Sequence, residues 1–328
     1  MLVITGGAGF IGSNLAAALD ARHADDIVIC DWLEHGDKWR NIAKRELAAI
    51  VPPPELFDFL AYNAKSVETI FHLGAISSTT ETDGDLLART NFTLPMDLWN
   101  WCAARDARFI YASSAATYGD GQNGFDDEFS IAALARLRPL NGYGWSKHAF
   151  DRRVARIIAE GGPRPRQWAG LKFFNVYGPN EYHKGGQQSV PVQIYPKAKA
   201  GKPAVLFKSH NPSYADGGQM RDFIWVGDCT DVMLWLHDHP DVSGMFNLGT
   251  GTARSFADLA KAVFAALGKK PNIRYVDTPE AIRAKYQYFT EAKMTRLREA
   301  GYDKPFTALE DGIAQYVRGF LDAPDPYR

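Results

Sequence analysis

Residues 2–12 read Leu-Val-Ile-Thr-Gly-Gly-Ala-Gly-Phe-Ile-Gly, an apolar run that turns without a spacer into Gly6, Gly9 and Gly12 and then into helical composition over residues 13–19. Glycines at this spacing permit a tight turn, let the backbone approach a pyrophosphate and allow the following helix to pack closely on the strand. The helix terminus adds open amides and a partial positive charge. Asp31 stands 19 residues beyond Gly12, at the end of a second apolar run over residues 27–30. An acid there is placed for an adenosine ribose, so the whole arrangement predicts a dinucleotide site.

Further apolar runs at residues 69–73, 109–112 and 171–176 alternate with helix-like stretches near residues 95–104 and 143–159. Buried strands alternating with helices imply βαβ units. The expected fold is therefore α/β, a Rossmann-type doubly wound parallel sheet with a smaller, mixed α/β C-terminal substrate domain. Beyond Gly178-Pro179 the periodicity loosens through residues 184–218, with strands expected at 221–226 and 245–248. Residues 255–267 read as a helix with Ser255 as N-cap and Gly268 as stop. The division that follows is a cofactor domain over 1–175 with returning segments near 219–250, and a substrate domain over about 176–218 and 251–328.

Composition narrows the partners. Thirty-seven Lys plus Arg against 38 Asp plus Glu leaves a net charge of −1, which argues against nucleic acid, whose phosphates need a clustered cationic surplus. No apolar run approaches the roughly 20 residues that cross a bilayer. Cys30, Cys102 and Cys229 are odd in number and far apart, which fits reduced cytoplasmic thiols and no metal site.

A second constellation carries the chemistry. Tyr143 and Lys147 stand at i and i+4, on one face of the expected helix. The ammonium is placed to lower the phenol pKa and to meet a nicotinamide ribose. Ser113 and Ser114 follow the strand at 109–112, where a hydroxyl can hold a substrate oxygen while Tyr143 takes its proton. Cofactor choice is open at this level, since Asp31 favours the free ribose of NAD while Lys38 and Arg40 suit the 2′-phosphate of NADP.

These motifs, with the stretches TGGAGFIGSN from Thr5, GAISSTTETD from Gly74, YASSAATYG from Tyr111, FNVYGP from Phe174, His183-Lys184-Gly185, Arg221-Asp222-Phe223, FNLGTG from Phe246 and YQYFTEA from Tyr286, carry a likeness over about residues 1–320. The sequence resembles the extended short-chain dehydrogenase/reductase family, and within it the nucleotide-sugar epimerases that act on an ADP-linked heptose. The resemblance implies NADP-dependent inversion at carbon six of the sugar, supplying heptose for lipopolysaccharide, in a cytoplasmic homo-oligomer with a pentamer as its expected form.

Residue by residue, the resemblance makes Tyr143 a catalytic acid/base supported by Lys147, places Ser114 at the reacting centre and makes Lys184 a second acid/base. It assigns Phe10, Ile11, Asp31, Trp32, Lys38, the segment Leu73, Gly74, Ala75, Ile76 and Ser77, Asn91, Val176 and Lys184 to the cofactor. It assigns Ser78, Asn175, Gly186, Gln193, Phe207, Lys208, Ser209, His210, Arg221 and Tyr286 to the ADP-sugar. Four features depart from the family pattern: Trp32 replaces a small polar residue, Pro52-Pro53-Pro54 stands where a second lysine is expected, Gly186 and Gln193 replace Ser and His, and residues 209–219 form a longer loop. Two rival readings remain, a 4-epimerase and a non-catalytic dinucleotide-binding regulator. Dehydration is disfavoured because Ala115 and Ala116, and not an acidic pair, follow Ser114.

Overall fold

A computed structural model describes residues 1–24, 26–283 and 287–328. The glycine-rich start folds as read: strand β1 (Leu2–Thr5), helix α1 (Phe10–Asp20) and strand β2 (Ile27–Cys30). Then follow β3 (Ala49–Val51), α2 (Leu56–Tyr62), β4 (Thr69–His72), α3 (Gly84–Ala88), α4 (Leu94–Arg105) and β5 (Arg108–Ser114). Next come α5 (Ile131–Arg136), α6 (Gly142–Ala159) and β6 (Trp168–Phe173). Beyond them run β7 (Asn175–Tyr177), α7 (Val190–Lys199), β8 (Ala204–Phe207), β9 (Met220–Trp225), α8 (Val226–Asp238) and β10 (Gly244–Leu248). The chain ends with β11 (Ala253–Ser255), α9 (Phe256–Ala266), β12 (Ile273–Val276), α10 (Glu280–Arg283), α11 (Thr295–Glu299) and α12 (Leu309–Tyr316).

Seven parallel strands form the main sheet in the order β10-β6-β5-β4-β1-β2-β3. The order reverses between β1 and β4, and the crevice at such a switch point, outside the carboxyl ends of the strands, is where ligands bind in open α/β sheets. Period-two alternation divides the strand side chains between two cores. Leu2, Ile4, Ile29, Phe71 and Ile110 pack with α1 and α8 on one face, and Val3, Val28, Ile70, Phe109 and Tyr111 with α2, α4 and α6 on the other. Cys30, Cys102 and Cys229 are buried within these cores and unbridged.

Two small sheets stand apart from the main one, β11-β9-β7 and β12-β8. The apolar run at 171–176, expected as one strand, serves two sheets. Phe173 ends β6, the Phe174 amide donates to the Leu248 carbonyl at 3.0 Å, and β7 then pairs in parallel with β9. Residues 184–218, without visible periodicity in the sequence, contain α7 and β8. Pro191 stands in the first turn of α7, where proline removes no helical hydrogen bond, and Ile194 and Ala198 bury its i, i+4 face.

Candidate active site

The turn after β1 lies hard against the segment that follows β4. Gly6 has φ +67°, and a β-carbon there would sit 2.5 Å from the Gly74 nitrogen, while one on Gly12 would sit 2.2 Å from the Gly6 carbonyl oxygen. Side chains are excluded by backbone on both sides, so the backbone itself forms the floor. No side chain caps α1 at Gly9 and its first turn has no acid, leaving its leading amides available to an anion. The Asp31 carboxylate accepts from the Ala8 amide at 3.0 Å and from Lys38 Nζ at 3.0 Å, and Nζ also donates to the Trp32 carbonyl at 2.6 Å. Lys38 is thus buried with its charge balanced by the acid. Open amides, a side-chain-free floor and an acid at the end of β2 fit a dinucleotide.

A cleft of about 510 Å³ runs from this turn across the strand ends. It brings together Gly6, Gly9, Phe10, Ile11, Gly12, Asp31, Lys38, Leu73, Gly74, Ala75, Ser77, Ser114, Tyr143, Lys147, Asn175, Val176 and Lys184. Tyr143 and Lys147 enter it because α6 starts sharply. Asn141 caps the helix by accepting from the Gly144 amide at 2.8 Å, and a β-carbon on Gly144 would sit 2.7 Å from the Ala116 carbonyl oxygen. Glycine therefore lets α6 dock onto the turn that carries Ser114, whose Oγ accepts from the Ala116 amide at 3.1 Å.

The electrostatics differ from the expectation in one respect. Lys147 Nζ donates to the Ala112 carbonyl at 2.9 Å. Burial pushes its ammonium down to about 8 against the opposing pull of Asp151. The Tyr143 phenol is not lowered; burial raises it, with a hydrogen bond to Ser114 pulling the other way. Desolvation of the phenolate, with the Asp151 charge, outweighs the Ser114 hydrogen bond.

Lys184 is a cleft residue and not a surface one. Its Nζ lies 5.3 Å from the centroid of the Phe10 ring, and burial lowers its ammonium while Glu181 raises it. Glu181 is wholly buried and accepts from Ser189 Oγ at 2.5 Å and from the Tyr316 hydroxyl at 3.1 Å. It anchors the turn that carries Lys184 onto α12.

Other expected contacts fall elsewhere. Asn91 is buried beneath the cleft, pinning Ile76 through both backbone groups at 2.9 Å and donating to Ser146 Oγ at 3.0 Å. Trp32 is 54% exposed and outside the cleft lining. Ser78 pairs with Thr80 at 2.9 Å, and Gly186 is exposed in the 3-10 helical segment Tyr182–Gln187. Gln193 and Phe207 line a side pocket of about 220 Å³ with Ile194, Val205 and Leu206, and Val190 and Phe256 border both hollows. The Arg221 guanidinium lies 5.6 Å from the Phe256 ring centroid and donates to the Met220 carbonyl. Lys208 pairs with Asp277 at 3.1 Å, the Ser209 amide donates to Asp216, and His210 meets the Tyr288 hydroxyl at 2.8 Å. Tyr286 lies outside the described residues. Sequence reasoning missed Phe256, Gln187 and Gln188 in the lining; only their nearness to Ser255 and to the His-Lys-Gly stretch pointed that way.

Residues 2–249 match the NAD dependent epimerase/dehydratase family, and the chain belongs to it. A nicotinamide dinucleotide is accordingly its cofactor class. The ADP-L-glycero-D-manno-heptose-6-epimerase of Nitratidesulfovibrio vulgaris (strain DP4) is 49% identical over 331 residues, covering 100% of both chains. The protein of the same name from Fusobacterium nucleatum is 44% identical over 335 residues, again covering 100% of both. Among solved structures, Helicobacter pylori ADP-L-glycero-D-manno-heptose-6-epimerase aligns with a TM-score of 0.76 at 26% identity, covering 97% of this chain and 95% of that one. A UDP-N-acetylglucosamine 4-epimerase from Methanobrevibacter ruminantium aligns with a TM-score of 0.80 at 22% identity, covering 98% of each. The second likeness concerns the fold alone, since one sheet hosts many activities.

Proposed function

We propose that the chain is an isomerase that inverts carbon six of ADP-D-glycero-D-manno-heptose, giving the L-glycero epimer for the lipopolysaccharide core. The observation that carries this reading is the convergence of two proton-holding groups, Tyr143 and Lys184, on one cleft beside the dinucleotide turn. An epimerase must handle the same hydroxyl proton with the sugar carbon presented in either of two orientations, and one base serves one orientation. The relatives that share the heptose-epimerase name over their full lengths support the substrate.

In this reading Tyr143 or Lys184 removes the proton of the carbon-six hydroxyl and later restores it. Ser114, hydrogen-bonded to Tyr143, steadies the substrate oxygen, and Lys147 holds the ribose side of the cofactor. The nicotinamide, when bound, supplies the hydride chemistry at carbon six. The apolar side pocket around Phe207 and Ile194 suits the adenine, with Arg221 beside Phe256 toward the pyrophosphate. NADP is the cofactor we assign, through Lys38; NAD is the second reading, favoured because Asp31 already balances the Lys38 charge at 3.0 Å. Titrating the protein with each dinucleotide separates the two.

The reading also carries a cytoplasmic homo-oligomer, a pentamer by resemblance, which sedimentation velocity measures. It divides the chain into a cofactor domain over 1–175 with 219–250 and a substrate domain over 176–218 and 251–328. Among the described residues no helix is long and apolar enough to cross a membrane. Tyr143→Phe tests the assignment directly: loss of a positioned acid/base lowers kcat by roughly 10²–10⁴-fold, and full turnover in that variant contradicts it.

A further inference from the structure

Beneath the cleft lies an ion pair that the reaction as described does not use. Asp151 and Lys172 are both fully buried, with Nζ 2.9 Å from the carboxylate. Asp151 continues the face of α6 that carries Tyr143 and Lys147, at i+8 and i+4 from them, while Lys172 lies on β6 opposite Ser113 of β5. Each member reaches into the serine turn. Ser113 Oγ donates to Asp151 at 2.6 Å, and Lys172 Nζ contacts Thr117 Oγ1 at 2.6 Å, whose hydroxyl in turn donates to the Ser114 carbonyl at 2.8 Å. Both serines of the turn are therefore tied, one by side chain and one by backbone, to a pair anchored on α6 and β6.

Such a pair is a costly way to gain stability alone. Removing two charges from water costs several kcal/mol per ion, and an apolar pair of similar volume is often as stable. We infer that Asp151 and Lys172 are positioning residues, locking the serine turn onto α6 and setting the charge around Lys147. This rests on the reading that Tyr143, Lys147 and Ser114 form the reacting centre.

Among the described residues, the charge that acts on Lys147 is that of Asp151 on α6, Lys147 in turn acts on His72 of β4, its Nζ is held by the Ala112 carbonyl of β5, and Tyr143 stands one turn before it on α6. His72 is held neutral, near 3, by burial and by the Lys147 charge. Tyr111 is raised by burial and by Asp151. Asp151 is thus the group that keeps the Lys147 ammonium from falling further below its value of about 8. Lys172 is paired with the same carboxylate, whose charge raises the Tyr143 phenol.

The test is a ¹³Cε-lysine NMR titration of the whole protein, the Lys147 resonance being assigned by its loss in Lys147→Met. In Asp151→Asn the Lys147 midpoint falls by about one unit or more, since an opposite charge at this range shifts a neighbour by roughly 1–3 units. The alkaline limb of the kcat profile moves to lower pH with it, and KM stays within about two-fold, a split that a merely structural role does not produce. Should the single variant fail to fold, the pair Asp151→Asn with Lys172→Met leaves no orphaned charge; its Lys147 midpoint falls by less, because the repulsion of Lys172 is removed with the attraction of Asp151, and its kcat falls with KM within about two-fold. Ser113→Ala, which needs no compensation, lowers kcat without moving the midpoint.

A folded Asp151→Asn variant with the parent's Lys147 midpoint and pH profile overturns the inference, as does a double variant or a Ser113→Ala protein with unchanged kcat. The titration needs no substrate. An unmoved midpoint alongside an inactive Tyr143→Phe protein sinks only this inference, whereas an active Tyr143→Phe protein sinks the catalytic reading and leaves the midpoint result standing.

Discussion

At the scale of single residues, buried carboxylates do much of the positioning. Asp222 accepts from the Thr250 amide and hydroxyl at 2.7 Å each, the Gly251 amide at 2.9 Å and the Ala292 amide at 3.0 Å. It knots the loops after β10 and before α11 onto β9, directly beside Arg221. Asp222→Ala strands three backbone amides, each costing roughly 1–3 kcal/mol when left unsatisfied, so a loss of several kcal/mol is expected in denaturant unfolding. Gly6→Ala meets backbone at 2.5 Å in a left-handed conformation and should abolish dinucleotide binding measured by titration calorimetry. The glycine was legible in the sequence because its role is local. Asp222, Glu181, Asp151 and Lys172 were not, since each has a partner that only the folded chain brings to it from tens of residues away.

At the scale of elements, legibility followed local signals. Ser255 was read as an N-cap, and it forms a capping box with Asp258: the Asp258 amide donates to Ser255 Oγ at 3.0 Å and the Ser255 amide to Asp258 Oδ2 at 3.4 Å. Ser255→Ala should cost about 1 kcal/mol in thermal or chemical unfolding. Because α9 presents Phe256 to both hollows, the same change should weaken substrate more than cofactor. Residues 190–199 hid their helix because Pro191 and Pro196 mark a loop by residue type alone, yet the first stands in the opening turn and the second is carried within the helix. The run at 171–176 hid its break because Leu171, Phe173, Phe174 and Val176 read as one stretch; only pairing with β10 and β9 divides it.

At the scale of the whole molecule, near-neutrality conceals local cation placement: Lys38, Lys147 and Lys184 all line one cleft, while the chain as a whole carries a net charge of −1. Global stability has a titratable element that does not line that cleft. Asp127 is buried, accepts from the Asn247 amide at 2.7 Å, and is raised by burial from 3.8 to about 6. A carboxyl raised on folding contributes stability that is present below its unfolded value and lost as pH rises through about 6. Asp127→Asn cannot titrate, so its stability relative to the parent should improve between pH 4 and pH 7, by up to about 3 kcal/mol for a two-unit shift. Thermal melts of both proteins at the two pH values check this, and a constant difference contradicts it.

The dinucleotide turn was legible from the first 31 residues and the sheet from the apolar runs between residues 2 and 176, but sheets of this kind serve 4-epimerases equally well. The central claim is the site of inversion. It is tested most directly by proton NMR of ADP-D-glycero-D-manno-heptose incubated with the purified protein in D₂O, beside UDP-glucose as control. The account predicts that the carbon-six signal converts to that of the L-glycero epimer without taking up solvent deuterium, and that UDP-glucose is unchanged. An unaltered carbon six, or epimerisation at carbon four of UDP-glucose, would contradict it.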